Sequence, residues 1–349
     1  MMMDKLKLIL FFALTLGASI LLAAETPRIG TNAIMPQVDG DWWTITDGQV
    51  LPDLGEFVWT NGTLPIDFSI WQAEDGTWQL DACVRGLKKK GEKNNFRVFY
   101  RWEGTSLTED NNWKPQGISQ IGLPEYGESS AVHQAPHVLK YDDGKYRMFY
   151  GVGGTISLAE SDDGKTFDRV LNASGESTLF PAFMGPQTEW GGKSSYNNSR
   201  DPVALKDGDT YYCYYAVSGV SKGKWGEEPY VAGGFACQTS TDLKAWTDPV
   251  IVSTGGVAGS TQICAECPHV IKRHGMYYLF RSGTDSKTYV YCSDNPLDFG
   301  VNDDRYYTGL RWEMDGVEIF HHEGQDYIAC FGQANGKRSY RIAKLKWVE

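Results

Sequence analysis

Arg200-Asp201-Pro202-Val203-Ala204, running into Gly208-Asp209-Thr210-Tyr211, reads as a short apolar strand, a turn with glycine, and a tyrosine-rich returning strand. The same pattern stands at four other places. It reads Ile66-Asp67-Phe68-Ser69-Ile70-Trp71 to Gly76-Thr77-Trp78, and Ala135-Pro136-His137-Val138-Leu139 to Gly144-Lys145-Tyr146. It returns as Ala265-Glu266-Cys267-Pro268-His269-Val270 to Gly275-Met276-Tyr277, and as Val317-Glu318-Ile319-Phe320 to Gly324-Gln325-Asp326-Tyr327. Several copies continue into an outer hairpin with its own rule: a strand, a Ser/Asp/Asn turn, then an aromatic placed to pack between units. Examples are Ser161-Asp162-Asp163-Gly164-Lys165-Thr166-Phe167 and Ser240-Thr241-Asp242-Leu243-Lys244-Ala245-Trp246. A four-stranded unit repeated in this way predicts an all-β, single-domain, five-bladed β-propeller of antiparallel blades whose innermost strands line a central axis. Residues 61–349 carry the blades. Residues 25–60 form a lead-in, available to close the ring by adding a strand to the last blade.

Composition fits that fold. The chain has 349 residues, of which 39 are Gly, 12 Trp and 19 Tyr, as many short strands, tight turns and sugar-stacking surfaces require. Its net charge of −11 argues against nucleic acid or an anionic membrane as partner. Lys5 and Lys7 precede the apolar run Leu8 to Leu22, and Leu22-Ala23-Ala24 offers small residues for cleavage. Residues 1–24 therefore read as a secretory signal peptide, and the mature protein as secreted or periplasmic without stable membrane insertion. The odd count of 7 cysteines leaves at least one thiol unpaired. Cys264-x-x-Cys267 brackets Glu266, but no second C-x-x-C or H-x-H completes a zinc site, so the pair reads as two small residues beside a strand. Two long insertions, Phe183 to Ser199 and Ser218 to Val231, flank the strand bearing Asp201 and are placed either to shape a pocket or as surface loops.

The repeat register brings Asp67, Asp201 and Glu266 to the axis from three blades. Alone, Asp67 reads as a cap or turn residue, and Asp201-Pro202 as a turn pair. Glu266 is harder to dismiss, since an apolar, cysteine-flanked strand is a poor place for an unpaired carboxylate. Together the three match the needs of glycosidic bond hydrolysis: one carboxylic acid to protonate the leaving oxygen and one carboxylate across the sugar. Crowding and burial raise the acid's pKa to a useful range.

Ile66-Asp67-Phe68-Ser69-Ile70-Trp71, Ser199-Arg200-Asp201-Pro202-Val203 and Ala265-Glu266-Cys267-Pro268-His269-Val270 resemble the three acidic motifs of five-bladed propeller glycosidases, glycoside hydrolase families 43, 32, 62, 68 and 117. The resemblance runs from about Asn61 to the end, with R-D-P and E-C-P its most specific elements. E-C-P is similar to the acid/base motif of family 32. However, the blade 1 motif is not that family's N-D-P-N-G, and the chain has no appended β-sandwich. The single-propeller layout is closer to the inverting families 43 and 117. This implies Asp67 as general base, Glu266 as general acid, and Asp201 as pKa modulator and substrate orienter. A family 32 likeness would instead make Asp67 the nucleophile of a retaining fructosidase. The resemblance also admits a structural calcium in the channel, with no cofactor required.

Around the three acids, His133, Gln134, His137, Arg200, His269 and Trp71 are placed as sugar contacts; His137 and His269 stand at equivalent positions and read equally well as structural histidines. The expected partner is a plant or algal polysaccharide or its oligosaccharides. A propeller-type glycoside phosphorylase would need a basic cluster for phosphate, and the motif strands supply only Arg200, with Arg281 as a candidate. A non-catalytic carbohydrate-binding propeller would not need three converging carboxylates.

Overall fold

In a computed structural model, residues 34–46, 51–110, 112–180, 199–219, 232–261, 264–334 and 337–349 are described. The segment read as a signal peptide, part of the lead-in and most of the two long insertions lie outside them. The described residues form five antiparallel sheets, arranged as a β-propeller, and one 3-10 turn at Pro124–Tyr126.

Blade 1 runs outward through Leu64–Gln72, Trp78–Lys89, Phe96–Gly104 and Lys114–Gln120, with Phe57–Val58 added beside Trp78–Lys89. Blade 2 comprises Gln134–Lys140, Tyr146–Gly151 and Ile156–Ser161, and both Asp168–Arg169 and Thr178–Phe180 pair with Ile156–Ser161. Blade 3 comprises Arg200–Asp207, Thr210–Gly219, Ala232–Ser240 and Val250–Thr254. Blade 4 comprises His269–Arg273, Met276–Ser282, Thr288–Ser293 and Tyr307–Trp312. Blade 5 comprises Glu318–His322, Gln325–Ala334 and Lys337–Val348, and its outermost strand comes from the other end of the chain. Met35–Thr44 pairs antiparallel with Lys337–Val348, from Met35 opposite Val348 to Thr44 opposite Arg341. Trp42 receives the Arg341 guanidinium at 4.3 Å from its ring centre, and Val38 and Trp42 pack on the core between blades 4 and 5.

Propeller blades bury both faces, so their strands carry aromatic and branched residues with little polar alternation. The cores lie between blades. Val203, Tyr214 and Phe235 of blade 3 meet Val270, Leu279 and Tyr291 of blade 4, and Trp246, from the repeated Ser/Asp turn, packs edge-on to Phe149 and Phe180 of blade 2. That turn owes its shape to local bonds: Asp242 accepts from the Lys244 and Ala245 amides, as Asp163 does from Lys165 and Thr166. All seven cysteines are free thiols, and Cys83, Cys213 and Cys330 are fully buried in second strands.

The inner strands share one irregularity. Ala135, Asp201 and Cys267 adopt φ of 50°, 51° and 48°, and Gly316 adopts 60°. Each stands at the same place in its blade, just before Pro136, Pro202, Pro268 and Val317. Blade 1 bends there by a register shift between Ile66 and Phe68. This alignment corrects the sequence register. Cys267, not Glu266, occupies the position of Asp201, and Glu266 falls one residue earlier, level with Gln134, Arg200 and Asp315.

Candidate active site

The five bends ring the axis and narrow it. Asp67, Ala135, Asp201, Cys267 and Gly316, with the residue after each, line a neck of about 30 Å³, room for a single water. Above the neck, at the N-terminal ends of the inner strands, a cavity of about 290 Å³ is lined by Asp67, Asp201, Glu266 and Asp315 among others. The three carboxylates singled out by the sequence share this cavity.

Cys267 ties two of them together. Its Sγ donates to Asp67 Oδ1 at 3.1 Å, and its backbone N–H donates to Asp201 Oδ2 at 3.3 Å. Arg200 spans the other pair, with Nε 3.6 Å from Asp201 Oδ2 and Nη2 3.7 Å from Glu266 Oε1. Arg200 is itself fixed by donating to Ser218 Oγ and the Ala265 carbonyl. Asp201 is buried. Its burial and the charge of Asp67 outweigh Arg200 and push its pKa up to about 6. Glu266 sits at the mouth, its side chain 43% exposed. Desolvation there and the neighbouring Asp201 raise it to about 7, against the opposing pull of Arg200. Asp315 is also raised, by burial first, though it accepts from Ser282 Oγ and the Gly316 amide. The arrangement can hold a proton on one carboxyl near neutral pH while a second accepts one.

The other sequence candidates divide. Gln134 and Arg200 line the cavity. His133 does not. It is fully buried against Phe99 and Tyr150, its Nε2 pairs with Gln120 Oε1 at 2.9 Å, and burial lowers its pKa to about 3. Trp71 is buried too, donating from Nε1 to the Gly164 carbonyl at 2.7 Å. It borders a wider hollow of about 650 Å³ at the opposite, C-terminal end of the inner strands. Both residues are corrected to structural roles. Sequence reasoning missed Asp315, Arg85, Arg97 and Arg338. Asp315 had a signal: it precedes Gly316-Val317 as Arg200 precedes Asp201-Pro202.

His137 and His269 also lie away from the acids, two residues past the neck, where Glu318 joins them. Their Nδ1 atoms are buried without hydrogen-bond partners and stand 3.7 and 3.3 Å from Glu318 Oε2. Burial would raise the Glu318 carboxyl, but His269 and His137 hold it down to about 2. The set does not fit calcium, which takes about 6–8 oxygen ligands. Two imidazoles and one carboxylate are the donors of a borderline ion such as zinc. Bonds of about 2.0–2.1 Å in a tetrahedral shell put ligand atoms about 3.4 Å apart, near the two histidine-to-Glu318 distances, while the set as a whole spans up to 4.8 Å.

No family model matches the chain, and no characterised protein matches it in sequence. Solved structures do match. A thermostable family-43 glycoside hydrolase superposes with a TM-score of 0.57 at 19% identity, over 83% of this chain and 96% of that one. The endo-arabinase from Bacteroides thetaiotaomicron VPI-5482 gives 0.55 at 16%, over 86% and 96%. The Bombyx mori GH32 beta-fructofuranosidase gives 0.51 at 15%, over 81% of this chain and 60% of its own. The chain thus has the five-bladed propeller fold that these three proteins share.

Proposed function

We propose that the protein is a glycoside hydrolase in which Glu266 protonates the leaving oxygen and Asp67 activates the attacking water. Asp201 keeps the pair tuned through its charge and the shared Arg200. The observation that carries this reading is the meeting of Asp67, Asp201 and Glu266 in one cavity, with Glu266 raised to about 7, where a general acid works best. Cys267 holds Asp67 from below and so fixes the direction in which it faces the sugar. Inversion is the expected outcome, with carboxyls far enough apart to admit water. The expected substrates are plant or algal poly- and oligosaccharides. The basic, then apolar, N-terminal segment supports an exported enzyme. The channel triad His137, His269 and Glu318 would hold a zinc-like ion as a structural clamp on three blades.

The test is Glu266→Gln. Activity on sugars with poor leaving groups should fall by about three orders of magnitude, while aryl glycosides with activated leaving groups lose far less, because they need little protonation. Equal loss on both would remove Glu266 as general acid. Proton NMR of the first-formed product reports the anomer, and retained configuration would make Asp67 a nucleophile.

A further inference from the structure

The cavity holding the carboxylates is also lined by four arginines: Arg85, Arg97, Arg200 and Arg338. Hydrolysis of a neutral sugar by two carboxyls calls for no such concentration of positive charge. Arg200 is accounted for by Asp201 and Glu266. Arg97 and Arg338 act on Asp201 and Asp315 only at longer range. Among the described residues, none of Arg85, Arg97 and Arg338 forms an ion pair with an acid. Arg97 donates to Gln134 Oε1 at 3.0 Å, Arg338 lies 4.3 Å over the Phe331 ring, and the Arg85 side chain is exposed.

Their origin is as telling. Arg85 and Arg97 come from the second and third strands of blade 1, and Arg338 from the third strand of blade 5. Two adjacent blades thus bring three arginines to the lining of one cavity. Mutual repulsion opposes that gathering, and although Asp67, Asp201, Glu266 and Asp315 line the same cavity, none of them stands within ion-pair distance of Arg85, Arg97 or Arg338. Guanidinium presents a rigid fork of donors that matches carboxylate and sulfate oxygens. The chain as a whole carries −11 and repels anions at long range. A local basic wall offsets this where it matters.

We propose that Arg85, Arg97 and Arg338 form a subsite for an acidic group of the substrate, a uronate carboxylate or a sulfate ester, on the sugar held between Asp67 and Glu266 or on its neighbour. This rests on the hydrolase reading for the chemistry but not for the binding, so the two are tested apart. Glu266→Gln protein, with turnover suppressed, is titrated calorimetrically with galacturonate-, glucuronate- and sulfate-bearing oligosaccharides. It is then titrated with the same molecules after carboxyl reduction or desulfation. At least one charged form should bind about tenfold tighter than its neutral twin, and the preference should shrink with added salt. Arg85→Gln, Arg97→Gln and Arg338→Gln should each cut that preference several-fold without changing affinity for the neutral twin. Arg85 is exposed, so Arg85→Gln reads the effect without risk to the fold.

Equal affinity for every charged and neutral pair, or no binding of any acidic member, overturns the proposal. Wild-type turnover of neutral twins as fast as charged ones overturns it while leaving the hydrolase reading intact. A charge preference without any turnover keeps the subsite and removes the hydrolase. Turnover that requires inorganic phosphate, and loses that requirement in the arginine variants, overturns it by assigning the arginines to free phosphate.

Discussion

Cys267 occupies the ring position that Asp201 fills in the neighbouring blade, and it holds both aspartates by a thiol and an amide. Burial first, and the surrounding carboxylates second, push its thiol well above the ordinary cysteine range. It should resist iodoacetamide at pH 8 in the native protein, as mass spectrometry of the quenched digest would show; rapid labelling would contradict the raised thiol pKa. Asp201 makes a second prediction. Its folded pKa of about 6 lies above that of an unfolded aspartate, near 3.8. It therefore contributes stability only below the unfolded value and loses it as pH rises through about 6. Asp201→Asn, which keeps a residue tolerant of positive φ, should stabilise the protein at pH 7–8 by up to about 3 kcal/mol, and by nothing near pH 4, while activity collapses. Unfolding curves at the two pH values check the sign. Activity of the wild type should decline as pH rises through about 7, where Glu266 loses its proton. Each of the three acids was legible because it stands inside a repeated motif. The arginines were not, because Arg85, Arg97 and Arg338 lie on second and third strands, and nothing in local sequence says which of those side chains face the axis. Trp71 and His133 misled for the same reason: their residue types suit sugars, but their backbone positions turn them into the core.

The bent inner strand is the element that builds the site. A left-handed residue at the same place in three blades, where the fourth has Gly316, is strain of order 1 kcal/mol for each non-glycine residue. The bend sets the neck and aims the acids. Ala135 carries no functional side chain there, so Ala135→Gly should be neutral to stabilising, by no more than about 1 kcal/mol, with activity unchanged; a marked loss of stability would mean that its buried methyl outweighs the strain. The bends also explain why the sequence register slipped. The proline-bearing motifs look alike over four residues, and aligning them by the carboxylate instead of the proline moves Glu266 by one. Below the bend, the His137–His269–Glu318 set predicts zinc rather than calcium by elemental analysis of purified protein, with the ion lost in His269→Ala. Calcium at one equivalent would refute the donor argument.

At the scale of the molecule, five copies of one hairpin pattern made the propeller readable, since each copy repeats the strand, glycine turn and aromatic return. The closing strand was harder to read, because Met35–Thr44 lacks the pattern and earns its place only through a partner three hundred residues away in sequence. Removing Met35–Thr44 should leave blade 5 with an unpaired edge on Lys337–Val348, and soluble folded protein should be lost. The closure has a kinetic side as well. Met35 meets Val348, so the first strand of the ring must wait for a segment about three hundred residues later before it has anything to pair with. Blades 1 to 4 draw on contiguous sequence and can form in order of synthesis, but the circle is sealed by a contact of large sequence separation, which is slow to find. Until then two strand edges stay open to other chains. Loss of Lys337–Val348 would therefore do more than shorten a blade: it would strip Met35–Thr44 of its partner and leave the ring permanently ajar.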